Sequence, residues 1–91
     1  EGESFDIGAL SFPLEVRGWR PGDRITLSYG TKKLKKLFAE KRIGVAERAR
    51  TAVLADAEGR ILWIPGVARS EVGRHRPGHP RMTVFVHVVD R

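Results

Sequence analysis

The chain has 91 residues, of which 41% are hydrophobic and 31% charged, with a net charge of +6 and no cysteine. This length gives one small domain, residues 1–91, with a modest core, and the composition is that of a globular rather than a disordered chain. It also excludes a disulfide framework or thiolate metal site, and no apolar run is long enough to span a membrane. An isoelectric point near 10.5 points to an anionic partner, and nucleic acid is the commonest one for a compact basic domain. The excess base is concentrated: residues 17–50 carry eleven bases and three acids, whereas residues 1–16 carry four acids and no base. The chain begins at Glu1 rather than Met, as expected of a domain taken from a longer protein.

Residues 4–17 read as extended. Phe5 and Ile7 alternate around Asp6, and Leu10, Phe12, Leu14 and Val16 fall on one face of a period-two pattern. Pro13 marks an edge strand or a bulge. Pro21-Gly22-Asp23 is turn chemistry, and Arg24–Ser28 follows as a strand with Ile25 and Leu27 inward. Lys32–Arg42 then reads as a basic helix, with Thr31 as its N-cap and Gly44 ending it. Six of its eleven residues are basic, and Leu34, Leu37 and Phe38 form an apolar stripe at i, i+3, i+4.

Val45–Arg50 predicts a further helical turn or two. Thr51–Ala55 and Arg60–Ile64 read as a hairpin around the Asp56–Gly59 turn, and Val67–Glu71 as another short strand. Residues 73–80 are rich in Gly and Pro and are read as an exposed loop. Thr83–Val89 is apolar on both faces (Val84, Val86 and Val88 against Phe85, His87 and Val89) and predicts a central strand. The sum is an α+β domain of about six mostly antiparallel strands, a sandwich-like mixed sheet, with one or two short helices.

No phosphate-loop, dinucleotide or nucleophile-elbow motif is present, so no catalytic residue is expected. His75 and His79 are four apart but flank Pro77 and Gly78 in a loop, so no metal site is expected either. His87 reads as a hydrogen-bonded strand histidine. The basic residues carry the signal. Arg17, Arg20 and Arg24 surround the turn, and guanidinium groups suit bidentate phosphate contacts. Asp23 either forms the turn or orients one of these arginines. Lys32, Lys33, Lys35, Lys36, Lys41 and Arg42 either solvate a helix face or present charge to a polyanion. Arg69 is a further candidate for the same face. Trp19 either stacks on a base or packs, and Trp63 reads as core.

The segments Val16-Arg17, Arg20-Pro21-Gly22-Asp23-Arg24-Ile25, Gly30–Phe38 and Gly59–Gly66 together resemble the C-terminal domain of bacterial tRNA(Ile)-lysidine synthetases. The likeness runs from about Leu14 to Ser70, the family-like core. Residues 71–91 match only as a generic final strand, and the 73–80 loop has no counterpart. The resemblance implies a cytoplasmic parent enzyme, a ligase that uses ATP and lysine to convert the anticodon wobble cytidine of tRNA(Ile) to lysidine. Its ATP site, with Mg, belongs to an N-terminal catalytic domain, and the C-terminal domain needs no cofactor. The C-terminal domain helps to hold the tRNA on its acceptor-stem side. By the resemblance, Arg17, Arg20, Arg24, Lys32, Lys33, Lys35 and Lys36 face tRNA, with Lys41 and Arg42 completing the basic set. The alternative is a structural or dimerisation module of the same or another RNA-modifying enzyme, in which an exposed strand face makes a homodimer.

Overall fold

The computed structural model describes residues 1–87. The elements are β1 (Gly2–Asp6), a 3-10 turn (Ile7–Ala9), β2 (Glu15–Gly18), β3 (Arg24–Leu27), β4 (Gly30–Lys33), α1 (Leu34–Glu40), α2 (Val45–Arg48), β5 (Ala52–Ala55), β6 (Ile61–Ile64), β7 (Ala68–Arg69) and β8 (Arg81–Phe85). The main sheet runs β2-β5-β6-β3-β4, and β7 pairs with the end of β6. It is a mixed sheet, because β3 and β6 are parallel, with Ile25 opposite Ile61. β1 and β8 form a separate antiparallel pair. The α+β class is as the sequence implies.

The main sheet is the middle layer. On one face Ile25, Val53, Ala55, Ile61 and Ile64 pack against Leu34, Leu37 and Phe38 of α1. On the other, Leu54, Leu62 and Trp63 pack against Phe5 and Leu10, with Met82 and Val84 closing the edge. Each fully buried side chain of this kind contributes roughly 1.5–3 kcal/mol. Trp63 is core, at 2% exposure. The hairpin β5–β6 forms as its alternation and turn residues predict, with a bulge between Leu54 and Ala55.

Four expectations need correction. The 4–17 stretch is not one strand. It folds into a 3-10 turn whose Gly8 N–H donates to the Asp6 carboxylate at 3.0 Å. Leu10 is therefore buried while Phe12 and Val16 are 50% and 66% exposed.

The basic helix starts at Leu34, not Lys32. Thr31, Lys32 and Lys33 belong to β4, because Ser28 and Tyr29 turn the chain back on β3. Lys33, not Thr31, is the N-cap residue, and no side chain caps the helix. The Asp23 carbonyl instead accepts the Leu34 N–H at 2.9 Å, which ties the Arg20–Asp23 turn to the helix start.

The helix ends at Glu40, with Lys41 as its C-cap, rather than running on to Gly44. Arg42 sits at φ 57°. Ile43 N–H donates to Phe38 O at 2.8 Å and Arg42 N–H to Ala39 O at 3.1 Å, a Schellman closure. Gly44 instead opens α2 as its N-cap.

The last strand is not central. Among the described residues β8 pairs with β1 and no other strand, and Phe85 on its outer face is 66% exposed. Val84 and Val86 do face the core, which accounts for the apolar alternation. Val88 and Val89 lie outside the described residues.

Candidate nucleic-acid interface

Alternation along β3 decides which basic side chains share a face. Ile25 and Leu27 point to the α1 side, so Arg24 and Thr26 point to the other. Register then places Lys33 directly opposite Arg24, and Thr31 opposite Thr26. Opposite residues on one face of an antiparallel pair stand about 4.5–5.5 Å apart at Cβ. Arg24 and Lys33 are thus a like-charge cross-strand pair. Both are exposed, and neither has an acidic partner among the described residues. Such a pair destabilises the hairpin by a few tenths of a kcal/mol in the absence of an anion.

One residue further on, the chain enters α1. The buried stripe Leu34, Leu37 and Phe38 fixes the helix, which leaves Lys35 and Lys36 exposed on its outer side. The basic surface therefore wraps around the β4 edge of the sheet, from Arg24 and Lys33 to Lys35 and Lys36. Arg20, exposed on the turn, adjoins it through the bond from Leu34 to Asp23. Lys41 and Arg42 are exposed at the far end of the helix, about 10 Å along its axis. The left-handed backbone at Arg42 costs roughly 1–2 kcal/mol for a residue other than glycine.

Arg17 and Lys32 are placed differently from the others. Arg17 makes a two-pronged contact with Asp23, both bonds 3.0 Å, and its side chain is 12% exposed. Asp23 also accepts the Arg20 N–H at 2.7 Å, so it both forms the turn and orients an arginine. Burial pushes the Asp23 carboxyl up, but the bonds from Arg17 and Arg20 outweigh it and hold the group below the usual carboxylate range. The same hydrogen bond holds Arg17 above its ordinary value.

Lys32 points to the helix side of the hairpin. There its ammonium pairs with Glu40 and lies 5.1 Å from the Tyr29 ring centre. The bond to Glu40 raises the Lys32 pKa and lowers that of Glu40. Both bases brace the site rather than present free charge.

Two other basic residues, and Trp19, are structural. Arg69 pairs with Glu3 at 2.8 Å and covers the Phe5 ring at 4.7 Å, so it clamps β1 instead of joining the basic face. Arg48 donates to Ile43 O at 2.7 Å and stands over Phe38. Trp19 packs edge-on against Phe38, with ring centres 5.1 Å apart. His79 Nδ1 lies 3.2 Å from an Asp6 oxygen, and no three metal-ligating side chains come together among the described residues.

The Arg24–Lys33 juxtaposition was invisible in the sequence, because it depends on the β3–β4 register. The Ser28-Tyr29-Gly30 turn was the one available signal.

Comparison with known proteins agrees with this architecture. The family model for the TilS substrate C-terminal domain matches residues 14–84. The tRNA(Ile)-lysidine synthase of Geobacillus kaustophilus (strain HTA426) is 45% identical over 78 residues, which are 84% of this chain and 17% of that protein. The synthase of Bacillus subtilis (strain 168) is 43% identical over 63 residues, 67% of this chain and 13% of that protein. The chain thus spans less than a fifth of these relatives. A crystal structure of a TilS C-terminal domain superposes with a TM-score of 0.82 and 42% identity, covering 90% of this chain and 65% of that one. An N-terminal fragment of the Pyrococcus horikoshii phenylalanyl-tRNA synthetase β-subunit shares the fold, with a TM-score of 0.70 at 19% identity over 90% of this chain and 26% of that one.

Proposed function

The chain belongs to the family of TilS substrate C-terminal domains, and on that premise we propose that it is a non-catalytic module that binds tRNA(Ile). It holds the tRNA on its acceptor-stem side while the catalytic domain of a longer lysidine synthase, with ATP, Mg and lysine, modifies the anticodon. The observation that carries this reading is the unneutralised pair Arg24 and Lys33, continuous with Lys35 and Lys36 around one edge of the sheet. Proximity of like charges is unfavourable until a polyanion lies across them.

Recognition is by charge and shape. A-form RNA offers its deep major groove poorly to side chains, so the lysines and arginines engage phosphates. Arg20, Arg24, Lys33, Lys35 and Lys36 make about five such contacts, which sets a salt slope of about −4 for a duplex. Arg42 and Lys41 extend the same surface past the helix end, and Arg17 and Lys32 hold the turn and hairpin in place.

A titration of a tRNA(Ile) transcript at two salt concentrations tests this, with Lys33, Lys35 and Lys36 changed together to Ala. The expected result is an affinity that falls with salt and that the triple change weakens by about tenfold or more. Binding indifferent to salt, or to the triple change, contradicts it.

A second reading, self-association, has its own observation. Val16 and Phe85 are each 66% exposed and flank an apolar groove over Leu54 and Trp63. A constant monomer mass in sedimentation at two concentrations removes that reading.

A further inference from the structure

The parallel pairing of β3 and β6 has a consequence at one end of the sheet. With Ile25 opposite Ile61, both strands begin at the same end, so the turns that precede them lie side by side. Gly22 and Gly59 sit in these turns at φ 95° and 81°, conformations that favour glycine. No heavy atom beyond their chain neighbours lies within 4 Å of where a Cβ would stand on either. The turns are therefore floored with bare backbone that a ligand can approach closely.

Two clefts meet at Gly59. One, about 330 Å³, is lined by Gly22, Asp23, Arg24, Thr26, Gly59 and Arg60 among others. The other, about 410 Å³, is lined by Arg17, Arg20, Asp56 and Gly59 among others. They adjoin at Gly59, so a trough that runs round this end of the sheet has Arg20 on one side and Arg24 and Arg60 on the other. Arg60 shares its charge with Asp56 at 2.7 Å and Glu58 at 3.4 Å. The Asp23 and Asp56 carboxylates are occupied by arginines and backbone N–H groups. Glu15 rims the second cleft and leans on Arg17. Of the arginines lining the two clefts, Arg20 and Arg24 have no ion-pair partner among the described residues. Among the described residues no aromatic side chain lines either cleft, so these residues offer no platform on which bases stack.

We infer that this trough seats the sugar–phosphate backbone of one RNA strand. Arg20 and Arg24 hold its phosphates, Arg60 edges the path, and the two glycines allow the close approach. This rests on the RNA-binding reading above and extends it from the helix and β4 edge to the turns on the opposite side of the hairpin.

Thr26 is the position to test, because its exposed side chain lines the trough beside Arg24. Thr26→Glu places a carboxylate there, whereas Thr26→Val keeps the shape without charge. With the 91-residue chain and a tRNA(Ile) transcript at low salt, Thr26→Glu should weaken binding about tenfold and Thr26→Val should not. Thr26→Val should melt as the parent does, and Thr26→Glu, which sets an acid beside the Arg24–Lys33 pair, level with it or slightly higher.

If Thr26→Glu binds like the parent while the triple lysine variant is weakened, the trough is not an RNA site and the helix-face reading stands. If both bind like the parent, the RNA-binding reading itself falls. If Thr26→Val weakens binding as much as Thr26→Glu, the loss is one of shape rather than charge, and the inference fails.

Discussion

Phe38→Ala is expected to destabilise the chain by about 3–5 kcal/mol, the usual cost of deleting a buried aromatic ring. Phe38 is fully buried, and three elements converge on it. Trp19 packs on its edge at 5.1 Å, the Arg48 guanidinium stands 5.7 Å from its centre, and it joins α1 to Ile25, Val53 and Ile61 of the sheet. A fold of this length has about 5–14 kcal/mol in total, so the change removes a large part of it. The melting temperature should fall by about 15 °C or more. Val45→Ala, at an 80% exposed site, should shift stability by less than about 0.5 kcal/mol. A drop of only a few degrees for Phe38→Ala would mean that the helix is anchored elsewhere. Lys35 and Lys36 ride on this helix, so affinity for RNA should decline with its anchoring.

Asp56→Ala is expected to cost about 3 kcal/mol, for a different reason. The Asp56 side chain is 0% exposed. It accepts the N–H groups of Glu58 and Arg60, each at 3.0 Å, and Arg60 Nε at 2.8 Å. Arg60 in turn donates to Ala9 O at 3.0 Å, and Ala57 N–H donates to Ser11 O at 2.7 Å. The carboxylate therefore fixes the β5–β6 turn and ties it to the segment after the 3-10 turn. Its removal leaves buried donors and an arginine without their acceptor.

The sign with pH follows. Burial pushes the Asp56 carboxyl up, but the bonds from the Arg60 side chain and from the Arg60 and Ser11 amides outweigh it and hold the pKa below its ordinary value. A depressed folded-state pKa contributes stability that is complete above the unfolded value, near 4. That contribution is lost as pH falls through the folded value. Asp23 behaves in the same way. The parent should thus lose stability as pH falls below about 4. Asp56→Ala should lie well below it at pH 7 and approach it in acid, as chemical denaturation at the two pH values can read. A difference independent of pH would show that the loss is packing and not charge.

Local patterns in the sequence carried much of the fold. The stripe Leu34, Leu37 and Phe38 is buried as its spacing demands, and the β5–β6 hairpin follows from alternation around a turn. What failed was where partner strands decide. Lys32 and Lys33 have good helix propensity, yet pairing with Ile25 and Arg24 makes them strand. Thr83–Val89 alternates between apolar side chains on both faces, yet only the Val84 and Val86 side meets a core, while Phe85 is exposed. The basic residues were legible as a set but not as a site. Arg17 and Lys32 look the same as Arg24 and Lys33 in one dimension. Ion pairs with Asp23 and Glu40 distinguish the first two, and the last two share a face and have no ion-pair partner among the described residues.

If RNA lies across Lys33 and Arg24, a single substitution at Lys33 reads it out. Lys33→Gln removes a repulsion from the free chain and a phosphate contact from the complex. Melting and tRNA titration on this variant should move in opposite directions. The melting temperature should stay level or rise by about 2 °C. The affinity should fall, with the magnitude of the salt slope smaller by about 1. A rise in stability with unchanged affinity and slope would contradict the account, since the pair would then be surface charge that no RNA meets.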